Sequence, residues 1–180
     1  MLEDKMLVWK FKAGNKEAFH RIYNKYEIYL LTLAVNLLHD TAAAEDVVQD
    51  VFIKFVQSID KFRLKKSLKT YLAVCTANRA KDLLRKRNRL ITVQENKKKV
   101  QRNDNNPIQL VINNEQMRLV GSALQQVKYE QREAVVLHLQ GDMKFKAIAE
   151  VQNVSIKTAQ SRYRYGLDKL RSILNSEVQS

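Results

Sequence analysis

The sequence has little of what turns and cross-links require. Its 180 residues include four glycines, one proline and one cysteine. Because glycine and proline mark tight turns, and because leucine, lysine, glutamine, alanine and glutamate recur throughout, the composition favours helices over strands. A lone cysteine, Cys75, cannot form an internal disulfide, which is typical of a protein kept in a reducing compartment.

Long apolar segments are missing as well. No stretch approaches the roughly 18 apolar residues of a membrane span, and the start of the chain lacks the apolar segment of a secretory signal. We therefore expect a cytoplasmic protein that does not insert into a membrane. Positive charge, by contrast, is abundant: 32 Lys and Arg residues oppose 19 acidic ones, which gives a net charge of +13. Such a balance favours a polyanionic partner.

Apolar residues recur at helical spacing in two separated parts of the chain. The first part predicts three long helices, with Asn15, then Asp40 or Thr41, and then Ser67 as their N-caps. From residue 91 to residue 114 the pattern dissolves into Asn, Lys and Gln, and the only proline lies there. The sequence therefore predicts an all-α fold, with one helical domain over residues 1–90, a flexible linker over 91–114 and a second helical domain over 115–180.

The second predicted helix carries a clean apolar stripe, which includes Phe52 and Val56. Its other faces gather acidic and amide side chains in an otherwise basic chain: Glu45, Asp46, Gln49 and Asp50. The helix dipole accounts for acids in a first turn but not for Asp50. A solvated face, a docking surface for a basic protein and a weaker alternative, a carboxylate metal or acid–base site, all fit this pattern.

Basic and aromatic residues follow the acidic helix. They comprise Phe62, Arg63, Lys65, Lys66, Tyr71, Asn78, Arg79 and Arg85. Basic residues late in a helix suit its dipole, and Tyr71 also fits a core position. Together with the aromatic rings, however, the basic residues favour a surface that follows a nucleic-acid backbone and stacks on unpaired bases.

Near the end of the chain, residues 144–171 predict two helices joined by a tight turn at Asn153, with Ser155 as the second N-cap. Ile156, Ala159 and Tyr163 form the predicted buried stripe of the second helix. Its polar and basic residues face outward: Lys157, Thr158, Gln160, Ser161, Arg162, Arg164 and Lys169. This helix-turn-helix pattern predicts a helix that enters the major groove of DNA.

Several of these segments resemble one family. Residues 44–52, AEDVVQDVF, look like the AEDLVQEVF motif of bacterial sigma factors. Ser67-Leu68, Tyr71-Leu72, Asn78 and Arg85 match the motif that follows it. In the second half, Arg132-Glu133, Ile148-Ala149, Val154-Ser155, Thr158 and Ser161-Arg162 match the fourth conserved region. The chain departs from that family at Tyr71, Lys128, Ala147 and Asn153, where Trp, Pro, Glu and Gly are usual.

Two such regions without the intermediate third one resemble the extracytoplasmic-function (group four) type of the sigma-70 family. The resemblance implies a specificity subunit of RNA polymerase that needs no cofactor and no metal and has no catalytic residue. It assigns polymerase binding to Glu45, Asp46, Gln49, Asp50 and Phe52. It assigns the −10 element to the basic-aromatic set above and the −35 element to the outward residues of the last helix. An anti-sigma factor is a further implied partner.

Two other functions fit the residues. A DNA-binding regulator could use the same helix-turn-helix without acting as a polymerase subunit. A metal-dependent nuclease could use Glu45, Asp46 and Asp50, and it would cleave DNA only with a divalent metal ion. Binding to core polymerase and promoter-dependent transcription distinguish the sigma factor from both.

Overall fold

The structure is a computed structural model that describes residues 2–64, 67–93 and 115–178. Side chains cap several of its helices where the sequence predicts them. Asn15 accepts a hydrogen bond from the Ala18 amide at 3.1 Å, and Asp40, rather than Thr41, accepts one from the Ala43 amide at 3.0 Å. Within the described ranges the chain is all-α and forms no strand, as predicted. Its helices are α1 (Leu2–Lys12), α2 (Lys16–Leu38), α3 (Thr41–Gln57), α4 (Leu68–Val93), α5 (Glu115–Gln125), α6 (Tyr129–Leu139), α7 (Phe145–Gln152) and α8 (Ile156–Val178).

Helix α1 is not predicted from the sequence pattern. It packs on α2 and buries Leu7 and Val8, while Leu2 and Trp9 remain 85% and 68% exposed. Apolar residues thus lie on both sides of α1, and no single apolar stripe marks it as a helix. Its C-terminal end is tied to the following structure, because Lys12 Nζ donates hydrogen bonds to the carbonyl oxygens of Asp60 and Phe62.

Helices α1 to α4 form the first bundle. The predicted stripe of α3 is buried from Ala44 through Phe55, but Val56 is 38% exposed and its predicted burial is wrong. A step of one residue turns about 100° around a helix, which carries Val56 off the side on which Phe55 is buried. Of the linker predicted over residues 91–114, residues 91–93 continue α4 and residues 94–114 lie outside the described residues.

Helices α5 to α8 form the second bundle, in which α8 packs on α6 and α7. Gly166 permits the close approach to α6, since a β-carbon there would lie 2.7 Å from Val135 Cγ2. Ala159 is fully buried, whereas Ile156 is 47% exposed, so its predicted burial is wrong. Ile156 is the first residue of α8, and the buried stripe begins one turn later.

The two bundles touch through α2. Arg132 of α6 is buried, and its Nη2 donates to the carbonyl oxygen of Leu37 at 2.7 Å. This places a cation at the C-terminal end of α2, where the helix dipole favours positive charge. Beside it, Asn36 Nδ2 donates to Gln140 Oε1 at 3.1 Å. These contacts hold the second bundle directly against the first.

Candidate protein and nucleic-acid interfaces

The outer face of α3 combines charge with exposed apolar groups. Asp46 and Gln49 are exposed and Glu45 is half-buried, in agreement with a polar surface. Asp46, Gln49, Ile53 and Val56 follow one another at helical spacing and form one exposed row on α3. In this row Ile53 is 53% exposed and Val56 is 38% exposed. Ile53 is a surface residue that the predicted sites do not include. Its position off the 3.6-residue rhythm of the buried stripe is the signal in the sequence that it faces outward.

Two members of the predicted polymerase-binding set have other environments. Phe52 is only 3% exposed, and its ring packs on Tyr23 and Phe19 at centroid distances of 4.7 and 6.2 Å. This burial agrees with the place of Phe52 in the predicted apolar stripe of α3, and its assignment to polymerase binding stays a prediction. Asp50 remains partly exposed but forms a salt bridge with Arg79, whose Nε donates to Asp50 Oδ2 at 2.7 Å.

The predicted aromatic residues of the −10 surface form a cluster. Phe62 and Tyr71 are half-buried, with ring centroids 4.7 Å apart, and both rings pack against Phe55. Burial raises the pKa of Tyr71 to about 12. Phe62 and Tyr71 also line a cleft of about 730 Å³. Its lining includes Phe62, Arg63, Tyr71 and Asn78 on one side and Ala147, Glu150 and Val151 of α7 on the other.

The two arginines of α4 in the predicted −10 set, Arg79 and Arg85, both lie beside acids. Besides the pair of Arg79 with Asp50, Arg87 Nη2 lies 2.9 Å from Asp40 Oδ2. Arg85 is exposed and lies 3.9 Å from Asp82, a loose pair one turn away. Asn78 and Arg63 are exposed, while Lys65 and Lys66 lie outside the described residues. The basic surface is thus less charged than the sequence alone suggests.

The helix-turn-helix forms as predicted. Asn153 ends α7 in the left-handed region, with φ of 53°, a conformation that Asn tolerates better than most residues. Ser155 Oγ then accepts a hydrogen bond from the Thr158 amide at 3.0 Å, which caps α8. Along α8 the exposed members of the predicted −35 set are Lys157, Thr158, Gln160, Arg164 and Lys169.

Ser161 and Arg162 are only partly exposed. Arg162 Nη1 donates to Gln152 Oε1 at 3.0 Å, so its guanidinium is held by the protein as well as open to solvent. Gln152 in turn donates through Nε2 to the Glu130 carbonyl oxygen at 2.8 Å and to Glu133 Oε2 at 3.0 Å. The burial of Gln152 and Glu133 is not predicted from the sequence, where Glu133 stands out only in the family resemblance, because neither polarity nor spacing shows which polar residues a helix buries.

Glu133 is fully buried in this network. Burial raises the pKa of its carboxyl group, while Lys81 and the hydrogen bonds from Gln152 and Tyr129 act in the opposite direction. His138 lies at the edge of the same bundle, stacked on Phe145 at 4.5 Å, with Nδ1 2.8 Å from the Met143 carbonyl oxygen. These contacts place the His138 ring at the edge of the core.

Over the described ranges no three His, Cys, Asp or Glu side chains are grouped closely enough to hold a metal ion. None of the helices in those ranges is both long and apolar enough to cross a membrane.

Two family models match the chain, one on each bundle. The model of sigma-70 region 2 matches residues 22–90, and the model of sigma-70 region 4 matches residues 117–170. Their order along the chain is the order that the motifs indicate.

Relatives from distant bacteria match almost the whole length. The RNA polymerase sigma-H factor of Pseudomonas aeruginosa is 27% identical over 179 residues, with 93% of each chain covered. The ECF RNA polymerase sigma-E factor of Escherichia coli K12 is 24% identical, with 99% of this chain and 95% of the relative covered. SigX of Bacillus subtilis, an ECF RNA polymerase sigma factor, is 26% identical, with 91% and 88% covered.

Solved structures share the fold. CnrH, in complex with the cytosolic domain of CnrY, superposes with a TM-score of 0.67 at 22% identity, over 97% of this chain and 98% of that one. The sigma factor RpoE of Bartonella quintana, in complex with the anti-sigma factor NepR, gives a TM-score of 0.65 at 22% identity, over 86% and 97%.

Proposed function

The chain belongs to the sigma-70 family, in its extracytoplasmic-function type, and on that premise we propose how its surfaces divide the work of a sigma factor. Such a protein binds core RNA polymerase and directs it to promoters. The observation that carries the proposal is the succession of a region 2 match and a region 4 match, each lying on a helical bundle with an exposed polar or basic surface. The protein itself performs no chemistry, and it acts in the cytoplasm, where polymerase is.

Polymerase docking falls to α3. Asp46 and Gln49 provide polar contacts, and exposed Ile53 and Val56 add apolar area to the same row. Protein interfaces gain most of their affinity from a few buried side chains surrounded by polar ones. Glu45 and Asp50 complete the surface at its margin, where Asp50 already shares its charge with Arg79.

The −10 element falls to the first bundle and the −35 element to the second. Phe62, Arg63, Tyr71 and Asn78 line one cleft, which suits unpaired bases because aromatic rings stack on any base. Arg79, Arg85, Lys65 and Lys66 supply positive charge along the backbone. On α8, Lys157, Thr158, Gln160, Ser161 and Arg162 lie in the first two turns and face the groove, while Arg164 and Lys169 meet phosphates.

An anti-sigma factor is a further proposed partner. Of the two similar solved structures, RpoE is in complex with the anti-sigma factor NepR, and CnrH is in complex with the cytosolic domain of CnrY. An anti-sigma factor that covered the exposed row on α3 would prevent polymerase from binding there.

Gel filtration with core RNA polymerase from the same host tests this function against a regulator that does not act as a polymerase subunit. The full-length protein should co-elute with core enzyme and should be displaced by another sigma factor of the host. A protein that binds DNA but never associates with core polymerase would be the regulator instead. Cleavage of DNA that requires a divalent metal ion would identify the nuclease.

A further inference from the structure

Gln152 is a buried amide at the joint between the two helices of the helix-turn-helix. It is the last residue of α7, it is 5% exposed, and the left-handed Asn153 follows it directly. A buried side-chain amide is costly unless its donors and acceptor are used. Here the NH₂ group donates to the Glu130 carbonyl oxygen and to Glu133 Oε2, and the amide oxygen accepts from Arg162 Nη1.

The orientation of this amide follows from its neighbours. The Glu130 carbonyl can only accept, so it requires the NH₂ group of Gln152 on its side. The guanidinium of Arg162 can only donate, so it requires the amide oxygen on the other side. Gln152 therefore presents a fixed acceptor toward α8, and α6 holds that acceptor in place.

Arg162 is the residue of α8 whose side chain this acceptor holds. A free arginine side chain samples many rotamers and loses that freedom when it contacts DNA. A hydrogen bond through Nη1 restricts the side chain beforehand. The guanidinium carries five N–H groups in a planar fork, so the others remain to face the groove.

We propose that Gln152 is a positioning residue for Arg162 and thereby determines −35 selectivity, although Gln152 itself does not touch DNA. The inference rests on the proposed function, in which α8 reads the −35 element. In preorganised binding sites generally, a supporting hydrogen bond sets the direction of the group that makes the contact. Gln152 would do the same for Arg162.

Promoter selection by holoenzyme tests the inference. Full-length wild-type and variant proteins are each combined with core polymerase and transcribe a library randomised across the −35 element. In the Gln152→Leu protein, preference at one or two adjacent base pairs should fall by roughly five-fold or more, the lower end of what one bidentate base contact provides. Gln125→Leu is the matched control, because Gln125 is exposed at the end of α5 and should leave the preference unchanged.

A double-mutant cycle separates positioning from general support of the fold. If Gln152 acts through Arg162, then Gln152→Leu should change little in a protein that already carries Arg162→Ala. Equal losses in both backgrounds, or an unchanged preference in Gln152→Leu, would overturn the inference while promoter-dependent transcription by the wild type stands. Failure of the wild type itself would overturn the proposed function and this inference with it.

Discussion

Glu133 is fully buried, and the hydrogen bonds to its carboxyl group come from the neutral side chains of Gln152 and Tyr129. Burial raises the pKa of Glu133 above the ordinary value of 4.5. The folded protein therefore binds this proton more tightly than the unfolded chain does. Its contribution to stability is present below pH 4.5 and is lost as the pH rises through the pKa of the folded state.

Replacing Glu133 by Gln should remove that loss. We expect Glu133→Gln to unfold at a higher temperature than the wild type at pH 8, and the difference to shrink or reverse at pH 4. Thermal unfolding followed by circular dichroism between pH 4 and pH 8 measures this. A wild-type advantage that grows with pH would contradict a raised pKa for Glu133.

Asp4 offers a control of opposite sign. Burial alone would raise its pKa, but hydrogen bonds from Lys25 and Tyr26 together lower the pKa below 3.8. Its stabilising contribution is thus present above pH 3.8 and is lost as the pH falls through the pKa of the folded state. Asp4→Asn should cost stability at pH 7, and this cost should diminish in acid.

Lys169 is exposed on α8, beyond the first two turns. A phosphate contact positions a protein without reading sequence, so Lys169→Ala should weaken binding to all promoter sequences alike. The slope of log K against log salt should fall by about 0.9, the value for one phosphate contact. Filter binding of holoenzyme at several salt concentrations checks this, with Lys5→Ala on α1 as control. A selective loss at particular bases would instead make Lys169 a base contact.

At the scale of elements, the sequence predicts most helices but not all of their faces. Capping residues such as Asn15, Asp40 and Ser155 act locally, so their positions could be read from the chain. Helix α1 was missed because its apolar residues lie on both sides, and its burial depends on the neighbouring helices. The hydrogen bond of Arg162 to Gln152 could not be foreseen either, since these two residues meet only through the packing of α7 and α8.

The exposed row on α3 provides the sharpest test at this scale. Ile53→Asp should weaken binding to core polymerase by about ten-fold or more, because it would place a charge in the apolar centre of the contact. The fold should survive, since Ile53 is 53% exposed. Affinity for immobilised core enzyme measures the change.

Ile28→Asp is the matched control, because Ile28 is 61% exposed on α2 and lies outside the α3 row. It should bind core enzyme as the wild type does. Equal affinities for the two variants, both folded, would remove Ile53 from the docking surface.

At the scale of the whole molecule, the two bundles lie in direct contact, whereas the promoter elements assigned to them are far apart. The −10 and −35 elements are separated by about 25 base pairs, which is roughly 85 Å of DNA at about 3.4 Å per base pair. In the structure, α7 of the second bundle lines the same cleft as Phe62 and Tyr71, the residues proposed for the −10 element. We therefore expect the bundles to separate before both elements are bound at once.

A cross-link between the bundles should block that separation. Asn36→Cys and Gln140→Cys place two thiols where the side chains now share a hydrogen bond, and Cys75→Ala removes the native thiol. After reaction with a short bismaleimide, transcription should fall by about ten-fold or more, as expected when two linked sites cannot bind together. The unreacted triple variant is the control. Full transcription by the cross-linked protein would show that the bundles need not part.

Transcription from a fully randomised promoter library, with core polymerase and this protein as the sole sigma factor, is the decisive test of the proposed function. Transcripts should depend on the added protein. The selected templates should carry two conserved blocks, one near −10 and one near −35, and Gln152→Leu should alter only the upstream block. Core enzyme that starts at random positions with or without the protein, or templates that share no upstream block, would contradict it.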